Sequence, residues 1–146
     1  MTRILPALAL AVLPMAAAAE IETAEAEGSV AEVMNRLEIA VAEAGATIFA
    51  KVDHAGGADA VGMAMNDAQL LIFGNPRLGT PIMQADPRAG LVLPMKMLVY
   101  ADDDGRTHIV WPEVESMFDE FDVDGDLEAI DKIEEVVNNF VQSATQ

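Results

Sequence analysis

The stretch from Leu70 to Pro94, LLIFGNPRLGTPIMQADPRAGLVLP, constrains the fold more than any other part of the chain. It opens on a continuous apolar run, breaks at Gly74-Asn75-Pro76, turns again at Gly79-Thr80-Pro81 and becomes apolar once more at Leu91. Glycine gives access to positive φ, proline fixes φ and removes a donor, and asparagine bonds its own backbone. This crowding of turn residues specifies one tightly shaped loop between buried strands. Binding residues concentrate on loops that a rigid scaffold holds in place. Leu70 to Phe73 reads as a short strand buried on both faces, and Ile82 to Gln84 as part of a helical turn ahead of Asp86-Pro87.

The flanking segments have clearer periods. Ser29 followed by Glu32 is a capping box, and Val30, Val33, Met34, Leu37, Val41 and Ala44 form an apolar stripe at helical spacing that stops at Gly45. Ala46 to Val52 reads as a strand running into Asp53-His54-Ala55-Gly56-Gly57. There the acid and the imidazole either face a ligand or cap a short helix around Ala58 to Val61. Leu91 to Ala101 is the longest strand candidate, with Pro94 placing its first residues at an edge or bulge, and Lys96 is its one basic residue. Asp102-Asp103-Asp104-Gly105 is a hairpin turn that returns the chain as a strand from Arg106 to Trp111. Pro112 ends the sheet and starts a helix over Glu113 to Phe121. A last helix runs from about Leu127 to Val141 on an apolar stripe that includes Ile130, Ile133, Val137 and Phe140. Helix, strands, then helices: this order reads as α+β, an antiparallel sheet with helices covering one face.

Ahead of this domain, Arg3, the apolar run Ile4 to Leu13 and the small residues Ala17-Ala18-Ala19 have the form of a secretory signal peptide over residues 1 to 19. A membrane anchor is the competing reading. Spanning takes about 20 apolar residues, and this shorter run carries Pro6 and Pro14. Residues 20 to 28, acidic and alanine-rich, read as a flexible lead-in to a single domain over residues 29 to 146. The expected address is periplasmic or secreted, with no membrane span after signal removal. The sequence has no cysteine, which excludes disulfides and lipid attachment at a cleavage-site thiol. Its net charge is −17; residues 1 to 19 hold one base and no acid, so cleavage leaves 7 basic against 25 acidic residues, a net −18. Such a field repels phosphate backbones and anionic lipid, and so argues against nucleic-acid and membrane-surface partners.

The phrases IFAKVDHAGGADAVGM, LLIFGNPRLGTPIMQADP and LVLPMKMLVYADDDGR, with the strand ending at Trp111, resemble the domain of unknown function family numbered 302 over about residues 29 to 112. The resemblance implies a compact two-layer α+β sandwich, similar in outline to the TATA-binding protein, and no established activity. The matching positions are Asp53, His54, Phe73, Gly74, Asn75, Pro76, Gly79, Thr80, Leu93, Pro94 and Lys96. Val92 stands where relatives often carry an acid before the Leu-Pro pair.

Four chemistries compete. Gly74 to Thr80 has the glycine spacing of a phosphate-binding loop but lacks its lysine, so the expectation is a small polar ligand held by loop N–H groups, Thr80, His54 and Lys96, with Asp53, Gly74, Asn75, Pro76 and Gly79 as further site candidates. Met63, Met65, Met83, Met95 and Met97 raise cuprous copper, against the commoner use of methionine as core filler. Glu120, Asp122, Asp124, Gly125, Asp126, Glu128 and Asp131 follow the ligand spacing of a calcium loop, with Glu first and Asp last where Asp and Glu are usual; the alternative is that Asp124 or Asp126 caps the last helix. Catalysis lacks a nucleophile: Ser29, Ser116 and Ser143 belong to helices or their ends, His108 to a hairpin strand, and the neighbours Asp53 and His54 point to opposite faces of a strand. The sequence therefore favours a noncatalytic module for a small ligand or a protein partner, with no obligatory cofactor; a homodimer through a sheet edge or the apolar loop is compatible with it.

Overall fold

A computed structural model describes residues 20–146; the signal-peptide reading lies outside them. Five strands form one antiparallel sheet in the order β1-β5-β4-β3-β2: β1 (Ile21–Ala26), β2 (Thr47–Asp53), β3 (Ala68–Gly74), β4 (Met95–Ala101) and β5 (Thr107–Pro112). The helices are α1 (Val30–Glu43), α2 (His54–Ala60), α3 (Pro76–Ala85) and α4 (Glu128–Ala144). The α+β architecture is the one expected, in two layers. Leu71, Met97, Val99 and Ile109 of the sheet are fully buried with Val33, Leu37 and Val41 of α1 and Val137 of α4.

Helix α1 forms where its cap and stripe indicate. Ser29 Oγ accepts from the Glu32 N–H at 3.3 Å, and a Glu32 carboxylate oxygen accepts from the Ser29 N–H at 2.8 Å. Gly45, at φ +71°, closes it in a conformation that other residues adopt at a cost. The β4–β5 hairpin also forms at the expected turn, with Gly105 at φ +79°.

Five expectations are corrected. Residues 20 to 28 are not a lead-in: Ile21 to Ala26 is an edge strand in register with Pro112 to Thr107. An edge strand with one face open to solvent needs only small residues inward, and Ala24 and Ala26 supply them. The tight loop after β3 is α3, because Asn75 and Pro76 act as N-cap and first helical residue: Asn75 Oδ1 accepts from the Arg77 N–H at 3.0 Å. Strand β3 is fully buried on one face only; Leu71 and Phe73 belong to the core, while Leu70 and Ile72 on the opposite face are half-buried. Residues 91 to 94 do not join the sheet, since a 3-10 turn occupies Pro87–Leu91 and β4 begins at Met95. Finally, Glu113 to Phe121 contains only a 3-10 turn at Ser116–Phe118. The Glu113 carboxylate accepts from the Ser116 and Glu115 N–H groups, holding the segment in turns that still bury Val114, Met117 and Phe118.

Candidate functional site

A cleft of about 310 Å³ opens at the end of the sheet where β3 stops and β4 starts. Its floor is Phe73, Met95 and Phe140, the two rings meeting edge to face at 5.6 Å and 74°. One wall is α4, through Ile133, Val136 and Val137; the other is α3, through Leu78, Gly79 and Met83. Phe49 and the Leu93-Pro94 pair complete the mouth.

Two glycines keep this space open. A Cβ on Gly74 would sit 3.4 Å from Pro94 Cβ and 3.5 Å from a Phe49 ring carbon, and one on Gly79 would sit 3.7 Å from Leu93 Cδ1. Any larger side chain there would project among the lining atoms. The only polar side chains in the lining are those of Asn75 and Thr80, and Asn75 Oδ1 is already engaged as the α3 cap. The cleft thus offers shape and apolar contact rather than charge, in the lower part of the size range usual for ligand pockets.

The residues expected to converge separate into two groups. Gly74, Asn75, Pro76, Gly79 and Thr80 line the cleft together. His54 and Asp53 do not: Thr47 pairs with Gly74 at the cleft end of β2, whereas Asp53 pairs with Gln69 at the other end, about 20 Å away at 3.3 Å per residue. Asp53 caps α2, accepting from the Gly56 N–H at 2.9 Å, and His54 is exposed as its first residue. Lys96 lies beside Met95 but on the opposite sheet face, where its ammonium donates to the carbonyls of Val92 and Pro94 at 3.2 and 3.1 Å. The polar site of Thr80, His54 and Lys96 is therefore not assembled. Val92 packs against the core edge and contributes only its carbonyl to Lys96.

The metal candidates are also dispersed. Met83 and Met95 line the cleft, Met97 is wholly buried in the core, and Met63 and Met65 are exposed beyond α2. Of the calcium-loop acids, Asp124 accepts from the Asp126 N–H at 3.1 Å, Glu128 pairs with Lys132 at 2.6 Å, and Asp131 lies in the first turn of α4. Leu127, not an acid, is the N-cap residue of α4. Among the described residues no three His, Asp or Glu side chains are grouped to hold a metal ion.

Sequence reasoning missed Phe49, Leu78, Ile133, Val136, Val137 and Phe140 as cleft residues. Their one signal is that Val136 beside Val137 widens the apolar stripe of α4 beyond a single line. It also missed two ionic ties, one buried and one half-buried. Asp86, almost fully buried, accepts from the Arg88 side chain at 2.6 Å and from the Asp122 N–H at 3.0 Å; these bonds, the arginine's foremost, hold its carboxyl well below the usual carboxylate range. Asp102 meets His108 Nε2 at 2.8 Å and accepts from the Arg106 N–H at 2.9 Å, which lowers its pKa to about 2, while the His108 ring stacks on Tyr100 at 5.3 Å.

The model of the family described as domain of unknown function DUF302 matches residues 21–143. The chain belongs to the DUF302 family. The match is wider than the resemblance over residues 29 to 112, and takes in β1 and most of α4. The crystal structure of an uncharacterized conserved DUF302 protein from Bacillus stearothermophilus has the same fold, with a TM-score of 0.76 at 20% identity over 86% of this chain and 98% of that one. Among curated relatives, fluoride-specific ion channel FluC 1 of Brucella suis biovar 1 is 38% identical over 89 residues, which are 61% of this chain and 34% of the channel. FluC 1 of Brucella abortus biovar 1 and FluC 2 of Brucella melitensis biotype 1 are likewise 38% identical over 89 residues, 32% of each. This chain therefore spans about a third of the length of those relatives. No helix among its described residues is long and apolar enough to cross a membrane.

Proposed function

We propose that this DUF302 chain is an exported, noncatalytic binding module whose cleft takes a small apolar or amphipathic ligand. The observation that carries the reading is the cleft itself: the family-matching residues Phe73, Gly74, Asn75, Pro76, Gly79, Thr80, Leu93 and Pro94 all face one apolar space. Burial of apolar ligand surface, at about 25 cal/mol per Å², is the affinity such a lining supplies. The test is titration with N-phenyl-1-naphthylamine, a neutral fluorescent apolar probe. Saturable binding at one site, weakened by Gly79→Leu in a protein that still melts cooperatively, is the expected result. Binding that does not saturate, or that ignores the substitution, rejects the reading. A mature mass starting at Glu20 in protein from its own host checks the export part; an intact residue 1 to 19 segment rejects it.

A second reading rests on a separate observation. Relatives named as fluoride-specific ion channels carry a stretch 38% identical to this one. On that reading the module serves a membrane channel of its own host. Co-expression of this chain with a fluoride channel of its own host, followed by co-purification in detergent, tests it; a channel recovered free of the chain counts against it.

A further inference from the structure

With no cysteine in the sequence, methionine thioethers are the sulfur groups through which this protein meets oxidants. Among the described residues three methionines are exposed, Met63 at 67%, Met65 at 50% and Met83 at 37%. Met34, Met95, Met97 and Met117 are buried. Of the exposed three, only Met83 lines the cleft. Its sulfur is braced from behind, since a Cβ on Gly90 would lie 3.3 Å from Met83 Sδ, and its methyl carbon would lie 3.9 Å from a Cβ on Gly79. Met83 thus combines access from solvent with a place in the α3 wall of the cleft, so an oxygen added to its sulfur changes the chemistry of that wall.

We propose that Met83 is an oxidation site that switches the cleft from a tighter to a weaker ligand-binding state; the proposal rests on the apolar-ligand reading above. The oxidant is a hydroperoxide, hydrogen peroxide in the simplest case. A lone pair on Sδ attacks one peroxide oxygen, the S–O bond forms as the O–O bond breaks, and the departing hydroxide collects the remaining proton as water. Sulfur loses two electrons and the peroxide gains them. The product is a polar sulfoxide in a mostly apolar lining, where it replaces apolar contact with the ligand by a strong acceptor that must be desolvated when the ligand binds. Displacing or burying that acceptor weakens apolar binding by about tenfold or more. Methionine sulfoxide reductases reverse the step, one enzyme for each epimer, so the switch resets.

The experiment uses the full chain and N-phenyl-1-naphthylamine. Peptide mass spectrometry follows oxygen addition at each methionine during peroxide treatment, and probe affinity is measured at the same time points. Wild type is expected to lose affinity about tenfold in step with oxidation at Met83 and to regain it after treatment with both reductases. Met63→Leu/Met65→Leu is expected to lose affinity as wild type does. Met83→Leu, whatever its starting affinity, is expected to keep it through peroxide treatment. Undiminished wild-type affinity with Met83 fully oxidised overturns the proposal while leaving the cleft reading intact, as does an equal loss in Met83→Leu. An untreated wild type that does not bind the probe overturns the cleft reading and this proposal with it.

Discussion

The two ends of the sheet solve different problems. At one, where β3 ends and β4 begins, Phe49, Phe73, Met95 and Phe140 surround a space that nothing in the described chain fills. At the other, the β4–β5 turn satisfies itself: Asp102 accepts from the backbone of Asp104 and Arg106, meets His108, and pairs with the Arg106 guanidinium at 3.0 Å. Asp102 and His108 are thus already spent on structure, as is Asp53 on the cap of α2. The end poor in polar groups is the one with unfilled capacity. In this fold the residues that suggest chemistry hold the scaffold, and the residues that suggest core packing shape the cleft.

The largest effect that would sharpen this contrast comes from the cleft floor. Phe140 is nearly fully buried and meets Phe73 edge to face, so Phe140→Ala removes both core packing and floor. We expect a loss of about 3–5 kcal/mol in unfolding free energy, read by denaturant titration of the single tryptophan, Trp111. A loss below about 1 kcal/mol would show that the floor is not continuous with the core.

Acid probes the opposite end. Asp102 has a folded pKa depressed from 3.8 to about 2, so its stabilisation is fully present above pH 3.8 and is lost as pH falls from there towards 2. Asp86, depressed further by Arg88 and the Asp122 N–H, adds to the same limb. Denaturation midpoints followed down through this window should fall more steeply for wild type than for Asp102→Asn, which has no carboxylate to protonate. Identical slopes would mean that the hairpin ion pairs contribute no net stability. Probe binding measured for Asp102→Asn at neutral pH should match wild type, because the hairpin lies at the far end of β4 from the cleft.

How far these two ends could be read in advance follows from the range of the interactions that make them. Helix α1 was legible because Ser29, Glu32 and an apolar stripe lie within a few turns of one another, and the hairpin was legible because Asp102 to Gly105 sits between two strand patterns. Strand β1 was not: its pairing partner is β5, more than 80 residues on, and Glu-Ala alternation carries little hydrophobic signal. Helix α3 was misread because Asn-Pro and Gly serve both turns and helix starts, and only the Arg77 N–H on Asn75 Oδ1 decides between them. One wall of the cleft comes from α4, whose Ile133, Val137 and Phe140 had the spacing of ordinary core residues. The central stretch was recognisable as the site, but its chemistry was not, since apolarity there arises from elements distant in the chain.

Gly79 supplies a test in which stability and binding move in opposite directions. It occupies the interior of α3, where alanine is the better helix former by about 0.5–1 kcal/mol, and a Cβ there would make ordinary contacts at 3.7 and 3.9 Å. Gly79→Ala should therefore raise the denaturation midpoint while weakening probe binding. A variant that gained stability and bound equally well would place the ligand away from the α3 wall.

The smallest expected effect falls on the pair that most resembles an active site. Asp53→Ala removes the cap of a short peripheral helix, for a loss of about 0.5–1 kcal/mol, and His54→Ala alters an exposed side chain, with a change within about 0.5 kcal/mol. Neither should change probe affinity, because β2 runs its full length between them and the cleft. Parallel melts and titrations of the two variants check this. A His54→Ala protein that melted like wild type but no longer bound would overturn the contrast between the two ends, since an exposed ring about 20 Å from the lining has no direct contact through which to act. Such a result would require a second ligand site at the hairpin end, and Asp53 with the Asp102–His108 pair would become its first candidates.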